Sequence, residues 1–413
     1  MLNRRLAILT SGVALAALSA LGPAQAQEKT EIRVIVAHYS DQTMGIFGGM
    51  EADFEAAHPD VDIKLEDVSW DNLQQRLTTD IAGGTVPDIA IIGTRWLLDY
   101  AANDIAEPID DYMTPEFKAK FIEAFLEPSV IDGVTYGLPV AASARAMYYN
   151  KDLLEKAGIS APPATWDELV AAATAVKEKG EGAYGFGMQG KEIETDIYWY
   201  YALWAHGGEL VQDGKSGIAS EAGVKAATLY KSLIDQGLTQ PSPTGSNRQD
   251  MESLFKQGRA AMILSGPWLR GQIKTEAPDL NYGLAPIPKG TVQATYGVTD
   301  TIMIFKDSEH KEEAWKFLEE AAFSDKNRIA FSEKEGFLPV MKAEAAAPVF
   351  ADDPQLKAFT EMLPYAKFAP LIPNWEAASD TASAALQQIY QGQAEPEAAL
   401  TDAAAKIDEL IQQ

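Results

Sequence analysis

The segment that decides the fold spans residues 32–67 and reads IRVIVAH, then GIFGGMEADFEAAHP after a short loop, then VDIKLED. The first part is a β-branched run typical of a strand, and the last part alternates apolar and polar residues as a strand does. Between them, Phe47, Met50 and Phe54 are spaced at i, i+3 and i+7, so they share one face of a helix that Pro59 ends. Strand, helix and strand in this order predict a right-handed crossover between parallel strands.

The same alternation continues along the chain. Ser69 is placed to cap a helix that carries Leu73, Leu77 and Ile81 on one face, and residues 89–92 form a third strand. We find no internal repeat and no low-complexity linker. The sequence therefore predicts an α/β protein with two lobes, several short crossings between them and a cleft.

Composition narrows the classes of function. Of the 413 residues, 46% are hydrophobic, which suffices for packed cores and excludes a disordered chain. The chain has 34 Lys and Arg residues and 60 Asp and Glu residues, and the resulting net charge of −26 disfavours nucleic acid as a partner. The absence of cysteine excludes disulfides, thiolate zinc sites and iron–sulfur clusters. Because there are only four histidines, we expect neither a metal nor a cofactor.

An export signal is predicted in residues 1–26. Arg4 and Arg5 form a basic start, residues 6–21 form an apolar run, and Ala24-Gln25-Ala26 matches the small-x-small pattern of a cleavage site. The apolar run is shorter than the ~20 residues that a membrane-spanning helix needs. The sequence thus predicts a soluble exported protein that is cleaved after Ala26.

Motifs for catalysis are weak or missing from the sequence. Gly185, Gly187 and Gly190 match GxGxxG, but the first two fall inside a strand-like run, whereas a dinucleotide site needs a strand-to-helix turn. The phosphate-loop, elbow-serine and zincin motifs do not occur. A glycoside hydrolase needs two facing carboxylates, and 60 acidic residues neither supply nor exclude such a pair. An exported glycoside hydrolase or lyase is therefore the alternative function.

Tryptophans favour a carbohydrate site. Those at the ends of predicted elements or in mixed polar surroundings are Trp70, Trp96, Trp199, Trp204, Trp268 and Trp375. Flat side chains at loop tips pack against the apolar face of a sugar ring while polar groups bind its hydroxyls. Core packing is the simpler explanation for any single tryptophan, and only the group as a whole favours a sugar-binding cleft.

Four stretches resemble the bacterial extracellular solute-binding proteins of ABC importers, in the carbohydrate-binding family. They are GGTVPDIAIIGTRWLLDYAANDIAEPIDDY (83–112), YGLPVAASARAMYYNKDLLEKAGISAPPATWDEL (136–169), LFKQGRAAMILSGPWLRGQIKTEAPDLNYGLAPIPKG (254–290) and EGFLPVMKA (335–343). The phrase YYNKDLLEKAGI with the Pro-Pro and Thr-Trp-Asp-Glu-Leu that follow it, and the later GRAAM and GPW, are specific to this family. With the helical C-terminal segment, the resemblance runs from about Glu31 to the end of the chain.

The resemblance implies the periplasmic-binding-protein or flytrap fold, in which each lobe is a mostly parallel sheet flanked by helices and the chain crosses the hinge several times. Residues 27–137 and 295–340 are expected in the N-terminal lobe, and residues 138–294 and 341–413 in the C-terminal lobe. It also implies a monomeric periplasmic protein that catalyses no reaction. Its expected role is to deliver a mono- or disaccharide, or a sugar derivative, to an ABC permease in the membrane.

The resemblance further implies a set of ligand-contacting residues at strand ends and at the hinge. They are His38, Tyr39 and Asp41 after the first strand, Trp70 after the second, Thr94, Arg95 and Trp96 after the third, Ser143 in the LPVAAS run, Trp268 as the stacking tryptophan of the second lobe, and Tyr296 with Gly297 near the hinge. Gly93 and Ser143 stand where relatives often carry Asp, and Met341 stands where they often carry Arg.

The loss of two acids beside a retained Arg95 favours a ligand that is less rich in hydroxyl groups or that carries an anionic group. Bidentate pairing of an arginine with an anion is stronger than a neutral hydrogen bond, so one residue can set this preference. A surface ion pair between Arg95 and one of the many acids explains the residue equally well.

Overall fold

The computed structural model describes residues 29–179, 182–191, 195–370 and 372–412. The export signal predicted in residues 1–26, with its cleavage after Ala26, lies outside these ranges. None of the helices within them combines the length and the apolar character that crossing a bilayer requires.

The strands of the described chain are short to medium in length. In chain order they are β1 Thr30–Ala37, β2 Val61–Val68, β3 Ile89–Gly93, β4 Val130–Ile131, β5 Val134–Thr135, β6 Leu138–Ser143, β7 Ala146–Asn150, β8 Tyr184–Phe186, β9 Val211–Gln212, β10 Lys215–Ser216, β11 Ala260–Ser265, β12 Tyr282–Ala285, β13 Thr295–Tyr296, β14 Val298–Ile304 and β15 Ala366–Lys367.

Helices alternate with these strands. They are α1 Thr43–Ala57, α2 Trp70–Gly83, α3 Leu97–Ala102, α4 Pro115–Lys118, α5 Glu123–Leu126, α6 Lys151–Lys156, α7 Trp166–Lys179, α8 Thr195–Ala205, α9 Glu221–Asp235, α10 Arg248–Lys256, α11 Leu269–Glu276, α12 Lys311–Lys316, α13 Asp325–Glu335, α14 Lys342–Ala345, α15 Pro348–Ala351, α16 Pro354–Thr360, α17 Trp375–Tyr390 and α18 Pro396–Ile411. Short 3₁₀ turns cover Thr94–Trp96, Glu127–Ser129, Pro243–Gly245 and Leu363–Tyr365, and a π-helical turn covers Phe317–Ala322.

The first sheet has the strand order β2-β1-β3-β14-β6. β1 pairs in parallel with β2 and β3, whereas β14 pairs antiparallel with β3 and β6. Four of its strands therefore share one direction and β14 is reversed. Every residue of β3 is buried, as expected for the middle of a sheet that helices cover on both faces.

The second sheet has the strand order β12-β7-β11-β8. β11 pairs in parallel with β8, whereas β7 pairs antiparallel with β11 and β12. Three of its strands therefore share one direction and β7 is reversed. The α/β architecture that the sequence predicts is confirmed. Most strands of each sheet share one direction, as predicted, but the one reversed strand makes two pairings in each sheet antiparallel.

Both reversed strands adjoin a place where the chain passes between the sheets. β6 ends at Ser143 in the first sheet and β7 begins at Ala146 in the second, and the return path enters β14 at Val298. The two crossings are bonded to each other. The Arg145 N–H donates to Thr295 Oγ1 at 3.1 Å, and that hydroxyl donates to the Arg145 carbonyl oxygen at 2.9 Å.

Hydrogen bonds show on which side of the crossings the segments near the expected lobe limits lie. Residues 138–143, expected in the second lobe, pair with β14 in the first sheet. Lys342, also expected in the second lobe, donates its N–H to the Lys120 carbonyl of the first lobe at 2.9 Å. Asp353, by contrast, lies 2.6 Å from Arg270 of the second lobe. The third passage between lobes therefore falls between these two contacts.

The ends of α2 follow the predicted pattern with one difference. The helix begins after Ser69, but the Ser69 hydroxyl accepts a hydrogen bond from the Asn72 side chain at 3.0 Å and makes no bond to the helix backbone. At the other end, Gly84 has a φ of 64°, the left-handed conformation that favours glycine after a helix.

The GxGxxG match lies in a strand and the extended segment after it. Gly185 is the middle residue of β8, and a Cβ there would lie 2.4 Å from Ala173 Cα in α7. The Gly187 N–H donates to the Met262 carbonyl of β11 at 2.8 Å, which extends the pairing of the two strands. Gly185 therefore permits the close approach of α7 to the second sheet.

Gly185→Ala should destabilise the protein by about 1–3 kcal/mol, because the added methyl group overlaps the backbone of Ala173. The matched control is Gly49→Ala in α1, where an added Cβ meets no atom within 4 Å. Alanine should stabilise that helix by about 0.5–1 kcal/mol. Urea unfolding of both variants measures these changes, and a wild-type midpoint for Gly185→Ala would contradict the packing of α7 on β8.

Candidate functional site

Aromatic rings run along the first lobe and reach the second. The Trp70 ring centroid lies 6.0 Å from that of Trp96 and 5.8 Å from that of Tyr39. Tyr39 lies 4.8 Å from Phe337, and Phe337 lies 5.9 Å from Trp268 of the second lobe. We call these five residues the aromatic row. Tyr39, Trp70 and Trp268 are half-buried, so part of each side chain faces solvent.

The loop after β1 holds Tyr39 in place. The Thr43 hydroxyl accepts hydrogen bonds from the backbone N–H groups of Tyr39 and Ser40, at 3.1 and 2.9 Å. The Tyr39 hydroxyl in turn donates to Asp300 Oδ2 on β14 at 3.0 Å. Burial, and then the charge of Asp300, raise the pKa of Tyr39 well above its usual value. Tyr39 therefore remains a hydrogen-bond donor throughout the physiological pH range.

A buried carboxyl group lies behind this loop. Glu335, the last residue of α13, accepts a hydrogen bond from the Thr43 hydroxyl at 2.7 Å. Burial raises the pKa of Glu335, while hydrogen bonds from Thr43 and Ser40 and the charge of His38 oppose the shift and Asp67 adds to it. The balance is a raised pKa, so the fold favours the protonated form of this group more than water does.

Trp268 is held by a carboxylate and two arginines. Its indole N–H donates to Glu252 Oε1 at 2.8 Å, and the same oxygen accepts a hydrogen bond from Ser265 Oγ at 2.7 Å. Cζ of Arg145 lies 4.7 Å from the ring centroid and Cζ of Arg248 lies 4.9 Å from it, both typical of cation–π contacts. We call these five residues the Trp268 cluster.

Loops from the two lobes touch at Trp268. A Cβ at Gly336 would lie 2.8 Å from Trp268 Cα. Gly336 also has a φ of 79°, the left-handed conformation that favours glycine. The glycine of the EGFLPV stretch thus lets the first lobe approach the GPW segment of the second, which brings Phe337 against Trp268.

Of the residues expected after the first strand, Tyr39 lies in the aromatic row. His38 Nδ1 lies 2.8 Å from Asp67 Oδ2 on β2, so the histidine is bonded to the neighbouring strand. Asp41 is exposed.

The residues expected after the third strand are largely engaged within the protein. The Thr94 hydroxyl is buried and donates to the Thr299 carbonyl at 2.6 Å, which joins the end of β3 to β14. Arg95 Nε lies 2.8 Å from Glu376 Oε1 on α17, and only 12% and 13% of the two side chains are exposed. The ion pair considered for Arg95 is therefore present, and it is mostly buried instead of lying on the surface. Trp96 belongs to the aromatic row.

The hinge residues Tyr296 and Gly297 lie in packed surroundings. Tyr296 is buried, and its ring stacks on Trp204 with centroids 5.7 Å apart. A Cβ at Gly297 would lie 2.7 Å from the Phe368 ring. Both residues contribute to the packing of the second crossing.

The tryptophans divide into core residues and two that face solvent. The buried members of the predicted group are Trp96, Trp199, Trp204 and Trp375. The Trp199 indole, for example, donates to the Gly223 carbonyl at 3.1 Å inside the second lobe. Trp70 and Trp268 are half-buried, one in each lobe. Core packing thus accounts for most of the group, and these two remain as candidates for ligand stacking.

Sequence reasoning missed Arg145, Glu252 and Glu335. Arg145 Nη1 donates to Ser143 Oγ at 2.6 Å, so the serine expected as a ligand contact lies beside the Trp268 cluster. A signal for Arg145 was present, because a single arginine inside the small and apolar run AASARAMYY is unusual. Glu252 and Glu335 carry no such signal among 60 acidic residues.

The arrangement provides ring stacking and hydrogen bonding. Within the described ranges, no group of three or more His, Asp or Glu side chains is placed to hold a metal ion. Two α/β lobes, crossings that are bonded to each other, and an aromatic row that continues from one lobe into the next define a two-lobed solute-binding protein.

The chain belongs to the family of bacterial extracellular solute-binding proteins, whose model matches residues 46–328. A protein of Brucella abortus (strain 2308), named as a binding protein without a stated ligand, is 53% identical over 400 residues, which are 96% of this chain and 97% of that protein. The maltotriose-binding protein of Pyrococcus abyssi (strain GE5 / Orsay) is 26% identical over 369 residues, 87% of this chain and 78% of its own. An ABC transporter solute-binding protein of Thermotoga lettingae, solved with α-D-tagatose, is 25% identical with a TM-score of 0.86, covering 93% of this chain and all of that one.

The buried Glu335 carboxyl should make stability depend on pH. Because its pKa is raised in the folded protein, its contribution to stability is complete below the pKa of an unfolded glutamic acid and is lost as the pH rises through the folded pKa. Glu335→Gln keeps an acceptor for Thr43 and does not ionise. The stability of the Glu335→Gln variant, measured relative to that of the wild type, should therefore be greater at about pH 7.5 than at about pH 4.5.

Urea denaturation at the two pH values measures this difference. Glu333→Gln, exposed on the same helix, is the control, and its effect should be the same at both. If the two substitutions behaved alike, burial would not govern the ionisation of Glu335.

Proposed function

We propose that this protein is the substrate-binding component of an ABC importer, and that it captures a small carbohydrate or sugar derivative and delivers it to a membrane permease. The observation that carries the proposal is the aromatic row, which places one half-buried tryptophan in each lobe. Aromatic faces pack on the apolar C–H face of a sugar ring. The ligands named for the relatives, maltotriose and tagatose, are in line with this class.

Carboxylates beside the aromatic row suit the hydroxyl groups of such a ligand. Asp300 and Glu252 are buried, one in each lobe. Each accepts a hydrogen bond from a residue of the row, Tyr39 or Trp268. An ionised carboxylate has about four acceptor sites. The bonds from Trp268 and Ser265 both fall on Oε1 of Glu252, so its second oxygen is the acceptor that we propose for a sugar hydroxyl.

Capture depends on closure of the lobes. A ligand that contacts both lobes favours the closed state only by the difference between its affinities for the closed and the open protein. Stacking with desolvated hydrogen bonds gives a dissociation constant of about 1 µM or below, which corresponds to about −8 kcal/mol. A permease that prefers the closed form accepts the loaded protein and leaves the empty one.

For the lobes we propose limits adjusted to the hydrogen bonds. Residues 29–143 and 298–347 form the first lobe, and residues 146–296 and 353–412 form the second. The basic start and the small-x-small site of residues 1–26 support export with cleavage after Ala26, which gives a monomeric protein in the periplasm.

An exported glycoside hydrolase or lyase is the alternative class. Such an enzyme needs one carboxyl group as acid and a second as nucleophile or base. Tyr39 donates to Asp300. Trp268 and Ser265 donate to Glu252. Because the family to which the chain belongs consists of solute-binding proteins, we favour binding without turnover. Prolonged incubation with a sugar panel, followed by chromatography, tests this, since any product would support the enzyme.

Trp70→Ala and Trp268→Ala should each weaken carbohydrate binding about 10-fold or more, because each removes one aromatic surface, worth about 1.4 kcal/mol or more. The ligand is first found by a thermal-shift screen of the mature chain against neutral mono- and disaccharides, polyols, and their uronate and phosphate derivatives, since a ligand that binds the native state raises its melting temperature. Isothermal titration calorimetry then measures the affinities.

The control is Tyr112→Ala. Tyr112 is an aromatic residue of the first lobe whose ring stacks on that of Trp315, with centroids 6.0 Å apart. It should leave affinity unchanged. Wild-type affinity in both tryptophan variants would remove the aromatic row from the ligand site.

A further inference from the structure

Arg145 is a buried cation at the junction of the two lobes. It is the residue just before β7, and only 5% of it is exposed. Its backbone is bonded on both sides to the Thr295 hydroxyl of the second crossing. Its side chain lies over the Trp268 ring, with Cζ 4.7 Å from the centroid. The guanidinium group is therefore fixed at the hinge and beside the ring that reaches the cleft.

The described residues do not neutralise Arg145. Its side-chain contacts are the hydrogen bond from Nη1 to the Ser143 hydroxyl at 2.6 Å and the Trp268 ring. No carboxylate within the described ranges forms an ion pair with it. A guanidinium has five N–H donors, and burial of a cation without an anionic partner is costly. Nε and Nη2 of Arg145 are not among the enclosed polar atoms that lack a partner, so they keep some contact with solvent.

A second guanidinium lies against the same ring. Cζ of Arg248 is 4.9 Å from the Trp268 centroid, and its Nε is 3.9 Å from Glu252 Oε1. That oxygen also accepts hydrogen bonds from Trp268 and Ser265. The Trp268 cluster thus places two guanidinium groups against one aromatic ring, in a protein whose net charge is −26.

We propose that the Trp268 cluster binds an anionic group of the carbohydrate ligand, a carboxylate or a phosphate, through Arg145. This inference rests on the proposed function and names the class of ligand. The planar fork of arginine suits a bidentate oxyanion, and the Ser143 hydroxyl takes only Nη1 of Arg145, which leaves Nε and Nη2 as donors.

Arg145, and not Arg95, is then the residue that gives the site its preference for an anionic ligand. Arg95 is the residue that the sequence favours for this role, but Glu376 already supplies its anionic partner. Arg145 is more deeply buried and has no such partner among the described residues.

The test compares each anionic sugar with a neutral partner of the same shape. D-glucuronate and D-galacturonate are paired with their amides, and hexose 6-phosphates are paired with the parent hexoses. The wild type should bind the anionic member about 10-fold more tightly or better, as expected for charge-assisted hydrogen bonds. The carboxylate and phosphate arms show which anion the cluster prefers. Equal affinities within every pair would overturn the inference.

Arg145→Gln should abolish the preference for the anion and leave affinity for the neutral member within about 3-fold, since a charge-assisted bond is replaced by a neutral one. Arg145→Lys keeps the charge but loses the planar fork, and should retain part of the preference. The matched control is Arg259→Gln, which removes an exposed arginine that lies over Tyr184, and it should retain the full preference.

The outcomes separate this inference from the proposed function. Binding of neutral sugars without an anion preference, or a preference that survives Arg145→Gln, overturns the inference and leaves the importer function standing. Binding of no member of either panel overturns both. If the variants do not fold, the comparison of matched pairs on the wild-type protein decides alone.

Discussion

The architecture depends on the two strands that run against the direction of their sheets. β7 and β14 are each reversed, and each adjoins a crossing of the chain between lobes. Each reversed strand forms antiparallel hydrogen bonds with a neighbour on both sides, so the chain next to each crossing is held firmly in a sheet. The bonds between Arg145 and Thr295 then fasten one crossing to the other. The residues that follow the strand ends, Tyr39 above all, take their positions from this frame.

The site combines the apolar surface of the aromatic row with charged groups that differ between the two lobes. In the first lobe, the Tyr39 hydroxyl satisfies Asp300, and Thr43 donates to the buried Glu335. In the second lobe, Glu252 is shared by Trp268 and Ser265, and two guanidinium groups lie against the ring. Desolvation strengthens such interactions when a cleft excludes water. The two halves of the aromatic row are thus chemically different, which gives the cleft a direction for its ligand.

The alternation of strands and helices was predictable because each element carries its own period in the sequence. The place of β14 between β3 and β6 was not, since it depends on hydrogen bonds between residues far apart in the chain. Residues such as Trp199 and Trp268 look alike in sequence, and burial alone separates them. Arg95 and Arg145 differ for the same reason: one meets a carboxylate of α17 and the other does not, and only tertiary contacts decide which.

The bonding of the two crossings limits how the molecule moves. If Arg145 and Thr295 stay together, sliding or twisting of one half against the other would break both of their hydrogen bonds, whereas rotation about the line through them preserves both. These bonds therefore favour opening and closing of the two halves over their other relative motions. The angle between the halves then reports whether the cleft holds a ligand. A partner that contacts only the outer surfaces of the two halves distinguishes the loaded protein from the empty one without contacting the ligand.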